Sequence, residues 1–272
     1  MFHREQLKLK DNDFNIFYVV KEMELVRVLR TLAVTIILCY AVKEDVEKRE
    51  VEDKIWLIML LLGGCFTLFE YSYNFSLRSI TPLHAVSAML GVILALLFAY
   101  SDLTGGADAK AFIVLSLIEP PFLSRDLSSL IPSLTIILNS IILSLVTIVY
   151  VVMLNIKYYM KHGRIFSYKL PVHKRIILFM IATPTRLALI SKKPHAFFIL
   201  ERVKSGKRTI VLSLKASEDT KEVLKSLLES HAYSLSDEVF ASPSIPLMVY
   251  ILLGYLFYIF QGCIIKPSLM GL

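Results

Sequence analysis

Residues 83–118 read LHAVSAMLGVILALLFAYSDLTGGADAKAFIVLSLI, an apolar run over 83–100, a short polar break with paired glycines, and a second apolar run over 111–118. A run of the first kind is what a bilayer-crossing helix needs, roughly 20 mostly apolar residues. The break places a carboxylate, Asp108, in Gly105-Gly106-Ala107-Asp108-Ala109-Lys110, at the edge of the second run. Asp45 stands in the same relation to the apolar run that ends at Val42. Carboxylates beside membrane segments are costly to bury, so two of them point to a site.

Outward from this stretch the same pattern repeats. Apolar residues make up 56% of the chain and fall in blocks, above the roughly 45–50% of a soluble domain. Six spans are expected, at about 25–43, 54–74, 82–101, 108–125, 131–155 and 244–265. The fold class is therefore an all-α polytopic membrane protein with about six transmembrane helices and a small α+β cytoplasmic domain. Its expected divisions are 1–155, a membrane domain holding five helices and both aspartates; 156–243, a basic domain; and 244–272, the last helix and C-terminus.

Local chemistry qualifies some spans. Arg27 and Arg30 fall in the first, where their long stems are expected to snorkel to the interface. Glu119-Pro120-Pro121 should end or kink the fourth helix near Ile118. Ile176 to Ile190, short and interrupted by Pro184 and Arg186, reads as interfacial or buried. The first 24 residues lack the layout of a cleavable signal. Cys39, Cys65 and Cys263 have no metal or disulfide spacing and read as small apolar fillers.

Charge sets the expected orientation. Residues 156–208 carry thirteen basic side chains against one acid, Glu201, in a chain whose net charge is +7. Basic flanks favour the cytoplasmic side, and counting spans back from there puts both Asp45 and Asp108 on that face. Within the basic region, Phe197–Leu200 and Thr209–Leu212 read as the arms of a hairpin turning at Lys204–Lys207. Ser217, followed by Glu218 and Asp219, reads as the N-cap of a helix whose Val223, Leu224, Leu227 and Leu228 form one apolar stripe. The basic charge is read as retention on one side and contact with anionic lipid headgroups of the membrane; no nucleic-acid motif accompanies it.

Two motifs complete the reading. Asp45-Val46-Glu47-Lys48-Arg49-Glu50-Val51 carries an aspartate, an arginine four residues on and then an aliphatic residue. With the Gly105–Lys110 stretch and a late Pro243-Ser244-Ile245-Pro246-Leu247, it resembles the G-x-G-D membrane aspartyl proteases, specifically the archaeal preflagellin and type IV prepilin peptidases. The matching positions are Asp45, Arg49 and Val51 at the first motif, and Gly105, Asp108 and Lys110 at the second. Gly106 adds a flexible entry, and Ala107 departs from the family's glycine. The resemblance implies an aspartic endopeptidase that removes short basic leader peptides from archaellin or type IV pilin precursors at the cytoplasmic membrane face.

Two close carboxylates suit such chemistry on their own account. Like charges cannot both ionise readily, so one proton is shared; the carboxylate activates water and the protonated partner polarises the scissile carbonyl. Neither a metal nor a cofactor is required. Taken singly, Asp45 reads as a solvated acid in a charged loop of Lys43, Glu44, Glu47 and Lys48, and Asp108 as a helix cap or a partner of Lys110. Asp102 is a rival on the same face without the flanking glycines. Glu50, Glu52 and Asp53 are candidate contacts for the basic leader. Glu70 and His84 are expected near the outer face, making local hydrogen bonds. The absence of a cysteine set in the basic region argues for proteolysis alone, without N-methylation. Two other classes compete: a proton-coupled membrane transporter, which would place acids in mid-span, and a non-catalytic scaffold that docks a partner on its basic domain.

Overall fold

The structure, a computed structural model, describes residues 2–73, 81–101, 104–121, 127–166, 170–204, 207–212, 220–229 and 233–264. Its helices in chain order are α1 (Phe2–Lys48), α2 (Asp53–Tyr73), α3 (Thr81–Tyr100), α4 (Gly106–Ile118), α5 (Leu127–Leu130), α6 (Pro132–Ser144), α7 (Val146–His162), α8 (Val172–Ile181), α9 (Leu187–Lys192), α10 (Thr220–Glu229) and α11 (Leu247–Gln261). The strands are β1 (Thr183–Arg186), β2 (Phe197–Ile199), β3 (Glu201–Lys204), β4 (Lys207–Ile210) and β5 (Glu238–Pro243).

Among the described residues, four helical stretches are long and apolar enough to cross a membrane: Glu24–Lys48, Asp53–Ser72, Thr81–Tyr100 and Pro132–His162. Their outward faces are apolar, as with Leu57, Ile58, Leu61 and Leu68 of α2, whereas buried positions include Thr67, Ser87, Ser133, Asn139 and Ser140. That inversion suits lipid, which offers greasy surface outside and leaves interhelical contacts to small and polar groups. The other two expected spans are shorter. α4 has 13 residues and α11 has 15, below the roughly 20 of a perpendicular crossing, so the structure does not support a count of six full spans. Glu119 ends α4 with an extended backbone ahead of Pro120, as the sequence predicts, because the proline ring disfavours helix in the residue before it.

Helix packing relies on close approach. Gly254 of α11 lies against Ser140 of α6, where a Cβ would meet the Ser140 nitrogen at 2.7 Å. Only a residue without a side chain permits that contact, as at other small-residue helix crossings. Asn139 of α6 then holds the end of α11, donating to the Gly262 carbonyl at 2.8 Å and accepting from the Ile264 amide at 2.9 Å.

Several expectations change here. Arg30 does not snorkel: it is 2% exposed and donates to Glu70 at 2.7 Å and to Glu119 at 3.3 Å. Tyr255 of α11 donates to the other Glu119 oxygen at 2.8 Å. Glu70 thus forms a tertiary ion pair with α1, 40 residues away in sequence, because a charge within a bundle needs a partner rather than a long stem. His84 pairs with the Tyr71 hydroxyl of α2 at 2.7 Å. Cys39 and Cys65 are free and exposed, so they fill no core.

The α/β region after α7 has two small sheets. One is antiparallel with order β1-β5-β2, and the other is the β3-β4 hairpin. The expected hairpin exists with shifted arms: β3 pairs with β4, with Arg202 opposite Thr209, while Phe197–Ile199 pairs instead with β5. Its turn and the Ser217 cap fall partly or wholly outside the described residues. Val223 and Leu227 of α10 are buried on the apolar stripe. Glu201, the one acid of the basic stretch, is buried and accepts from Tyr233 at 2.6 Å and from the Phe240 amide at 2.9 Å. The segment 176–190 forms a helix, a strand through Pro184 and a second helix, burying Leu178, Ala182, Leu187 and Ile190.

Candidate active site

α1 continues to Lys48, so Asp45 belongs to the last turn of a helix rather than to a solvated loop. Glu44 beside it is 6% exposed and takes Lys48 at 2.8 Å and Tyr40 at 3.3 Å. The helix stops at Arg49, whose φ of 60° is left-handed, a conformation that costs a non-glycine residue about 1–2 kcal/mol. The turn throws the Arg49 side chain across to the C-terminal segment, where it donates to the Ser244 carbonyl.

Asp108 occupies the third position of α4. Its Oδ2 accepts the Gly105 amide at 3.0 Å, which closes the helix start and places the carboxylate at the positive end of the helix dipole. Gly105 has an extended backbone with φ −69° and ψ 160°, and Ala107 is already helical. No left-handed turn is required at that position, so alanine, the best helix former, replaces the family's glycine without strain. The Asp108 Oδ1 atom is buried without a hydrogen-bond partner.

The two aspartates come together. Each is 8% exposed, and the charged groups acting on Asp108 are Asp45, which repels it, and Arg49, which attracts it. Arg49 feels both carboxylates. Burial lowers its pKa from the ordinary value and the two aspartates oppose that shift, so the guanidinium stays charged. A cation is thereby held beside two acids in a sheltered site, with one carboxylate oxygen left unpaired.

The remaining predicted residues divide. Lys110 pairs with Asp53 at 2.5 Å rather than with Asp108, tying the start of α4 to the start of α2. Glu50 and Glu52 are exposed beside the site. Gly106 is exposed with open space around it. Asp102 lies outside the described residues. Ser244 was legible only as part of the Pro243–Leu247 motif, which carries no sign that its carbonyl would meet Arg49. Among the described residues no group of three or more His, Cys, Asp or Glu is placed to hold a metal ion.

A helical membrane protein with paired aspartates at one end of its bundle defines a class, and comparison with known proteins places the chain within it. Residues 32–152 match the model of the type IV leader peptidase family, a stretch that includes Asp45 and Asp108. Residues 174–264 match the model for the archaeal peptidase A24 C-terminus, type II, which takes in the β-strands and α11. Between them the two matches take in most of the chain, which is thus similar to the type IV leader peptidases along nearly its whole length, and they support a protease. A preflagellin peptidase from Methanococcus voltae is 24% identical over 232 residues, covering 80% of this chain and 89% of that protein.

Proposed function

We propose that this protein is an aspartic endopeptidase, multi-pass in the cell membrane, that cuts short basic leaders from archaellin or type IV pilin precursors at the cytoplasmic face. The observation that carries the reading is the pair of buried aspartates, Asp45 and Asp108, each acted on by the charge of Arg49. One carboxyl holds a proton and the other is ionised, as expected of buried like charges at close quarters. The ionised member takes a proton from water as the water oxygen attacks the scissile carbonyl carbon. The protonated member gives its proton to the carbonyl oxygen. Collapse of the resulting diol breaks the C–N bond, and a proton passes to the leaving nitrogen.

Arg49 offsets the negative charge of the pair, and the Asp108 Oδ1 atom, buried without a partner, is free to meet water or the carbonyl. Glu50 and Glu52, exposed beside the site, supply negative charge for a leader's Lys or Arg, whereas Asp53 is already engaged by Lys110. The transporter reading gains two acids inside the bundle, Glu70 and Glu119, but both are bound to Arg30.

The test is cleavage of a precursor with a basic leader by the parent, Asp45→Asn and Asp108→Asn. Both variants should lose essentially all activity while keeping the parent's thermal unfolding profile. Full cleavage by either one removes that residue from the mechanism.

A further inference from the structure

Away from the aspartates, a cavity of about 900 Å³ opens where α7 meets the α/β region. One wall is the last three turns of α7, and its character changes along the helix: Tyr150 and Leu154 come first, then Lys157 and Lys161. Across from α7 the lining includes the apolar Leu189 and Phe197 and the cationic Arg186. α7 is the end of the apolar stretch Pro132–His162, so its lysines stand where a span reaches the headgroup layer.

Charge identifies the occupant. Arg186 lies 3.9 Å from Glu238, which also accepts the Tyr158 hydroxyl, and Glu238 is the one acid among the lining residues. His162 stacks on Tyr158. Lys157 and Lys161 both face the cavity, and their charges exceed what a single carboxylate offsets. A cavity that is lined by apolar side chains as well as three cations, along an α7 wall running from Tyr150 and Leu154 to Lys157 and Lys161, with a size in the usual range for small-molecule sites, matches an anionic amphiphile. A basic leader peptide would be repelled from it.

We propose that this cavity binds one anionic phospholipid, its phosphate between Lys157, Lys161 and Arg186 and the start of its chains along Tyr150, Leu154 and Phe197. The site lies outside the aspartate pair and does not depend on the catalytic reading. Ser244, whose carbonyl receives Arg49, closes one side of it, so the lipid packs against the segment that also borders the aspartates.

The test is native mass spectrometry of the full chain in detergent with phosphatidylglycerol or phosphatidylcholine. The parent should retain one phosphatidylglycerol in preference to phosphatidylcholine. Lys157→Gln/Lys161→Gln should weaken that retention about thirtyfold, from about 1 kcal/mol for each lysine near the headgroups. Lys192→Gln/Lys193→Gln, which removes the same charge outside the cavity, should leave it unchanged. Equal retention of the two lipids, equal loss in both double variants, or no loss in Lys157→Gln/Lys161→Gln overturns the proposal. Displacement of the lipid by millimolar inorganic phosphate also overturns it, assigning the cations to a free anion instead.

Discussion

Arg49 does two things that its place in the sequence does not separate. Its backbone ends α1 in a left-handed conformation, and its side chain joins the aspartates to the Ser244 carbonyl. The two roles can be pulled apart. Arg49→Gly relieves about 1 kcal/mol of backbone cost that Arg49→Ala retains, so the glycine variant should unfold at the higher temperature of the two. Both lose the cation, and both should show kcat lowered at least about tenfold with KM changed less, since the leader is held elsewhere. Equal melting temperatures would mean that the turn is not under strain, and unchanged kcat would remove the guanidinium from the mechanism. The motif resemblance marked Asp45 and Arg49 together, while the residues around them read as a charged loop, so the helix that runs to Lys48 and carries Asp45 was not anticipated. The turn that ends the helix was not readable either, since a left-handed arginine has no distinctive sequence signal.

The elements are joined at both ends of the bundle. At the site end Lys110 meets Asp53; both are exposed, and such a pair is worth about 1 kcal/mol or less. At the other end Arg30, Glu70, Glu119 and Tyr255 bring together α1, α2, the residue after α4, and α11. α1 and α4 carry the two aspartates, so this buried cluster also limits how far those helices slide past each other. Arg30→Met should cost about 3–5 kcal/mol, because it leaves the buried Glu70 and Glu119 without their cation. Replacing the whole cluster, as Arg30→Met/Glu70→Leu/Glu119→Leu, should cost less than that single change, since no charge is stranded. Thermal unfolding of the two variants in detergent checks the order, and a more stable Arg30→Met would show that the two acids do not depend on Arg30. Glu119 was readable as a helix stop through the prolines behind it. Its bond to Arg30 was not, because the partner lies 89 residues away.

At the scale of the molecule the charge is divided, with Glu50 and Glu52 exposed beside the aspartates and a basic α/β region beyond α7. Glu50→Lys/Glu52→Lys should raise KM for a basic leader about tenfold and leave kcat largely unchanged. The effect should shrink at high salt, because exposed charges are screened over about 10 Å at 0.1 M; a KM that does not move places leader recognition elsewhere. The sequence by itself determined the apolar segments, the stop at Glu119, the two aspartate motifs and the α10 stripe, since each depends on neighbours within a few turns of chain. Tertiary structure alone decided that α4 and α11 are short, that β2 pairs with β5, that Arg30 is buried among acids, and that Asp45, Asp108 and Arg49 share one site with Ser244. These outcomes depend on which helix ends and strands meet across the fold, and that is set by the packing of the whole chain rather than by local spacing.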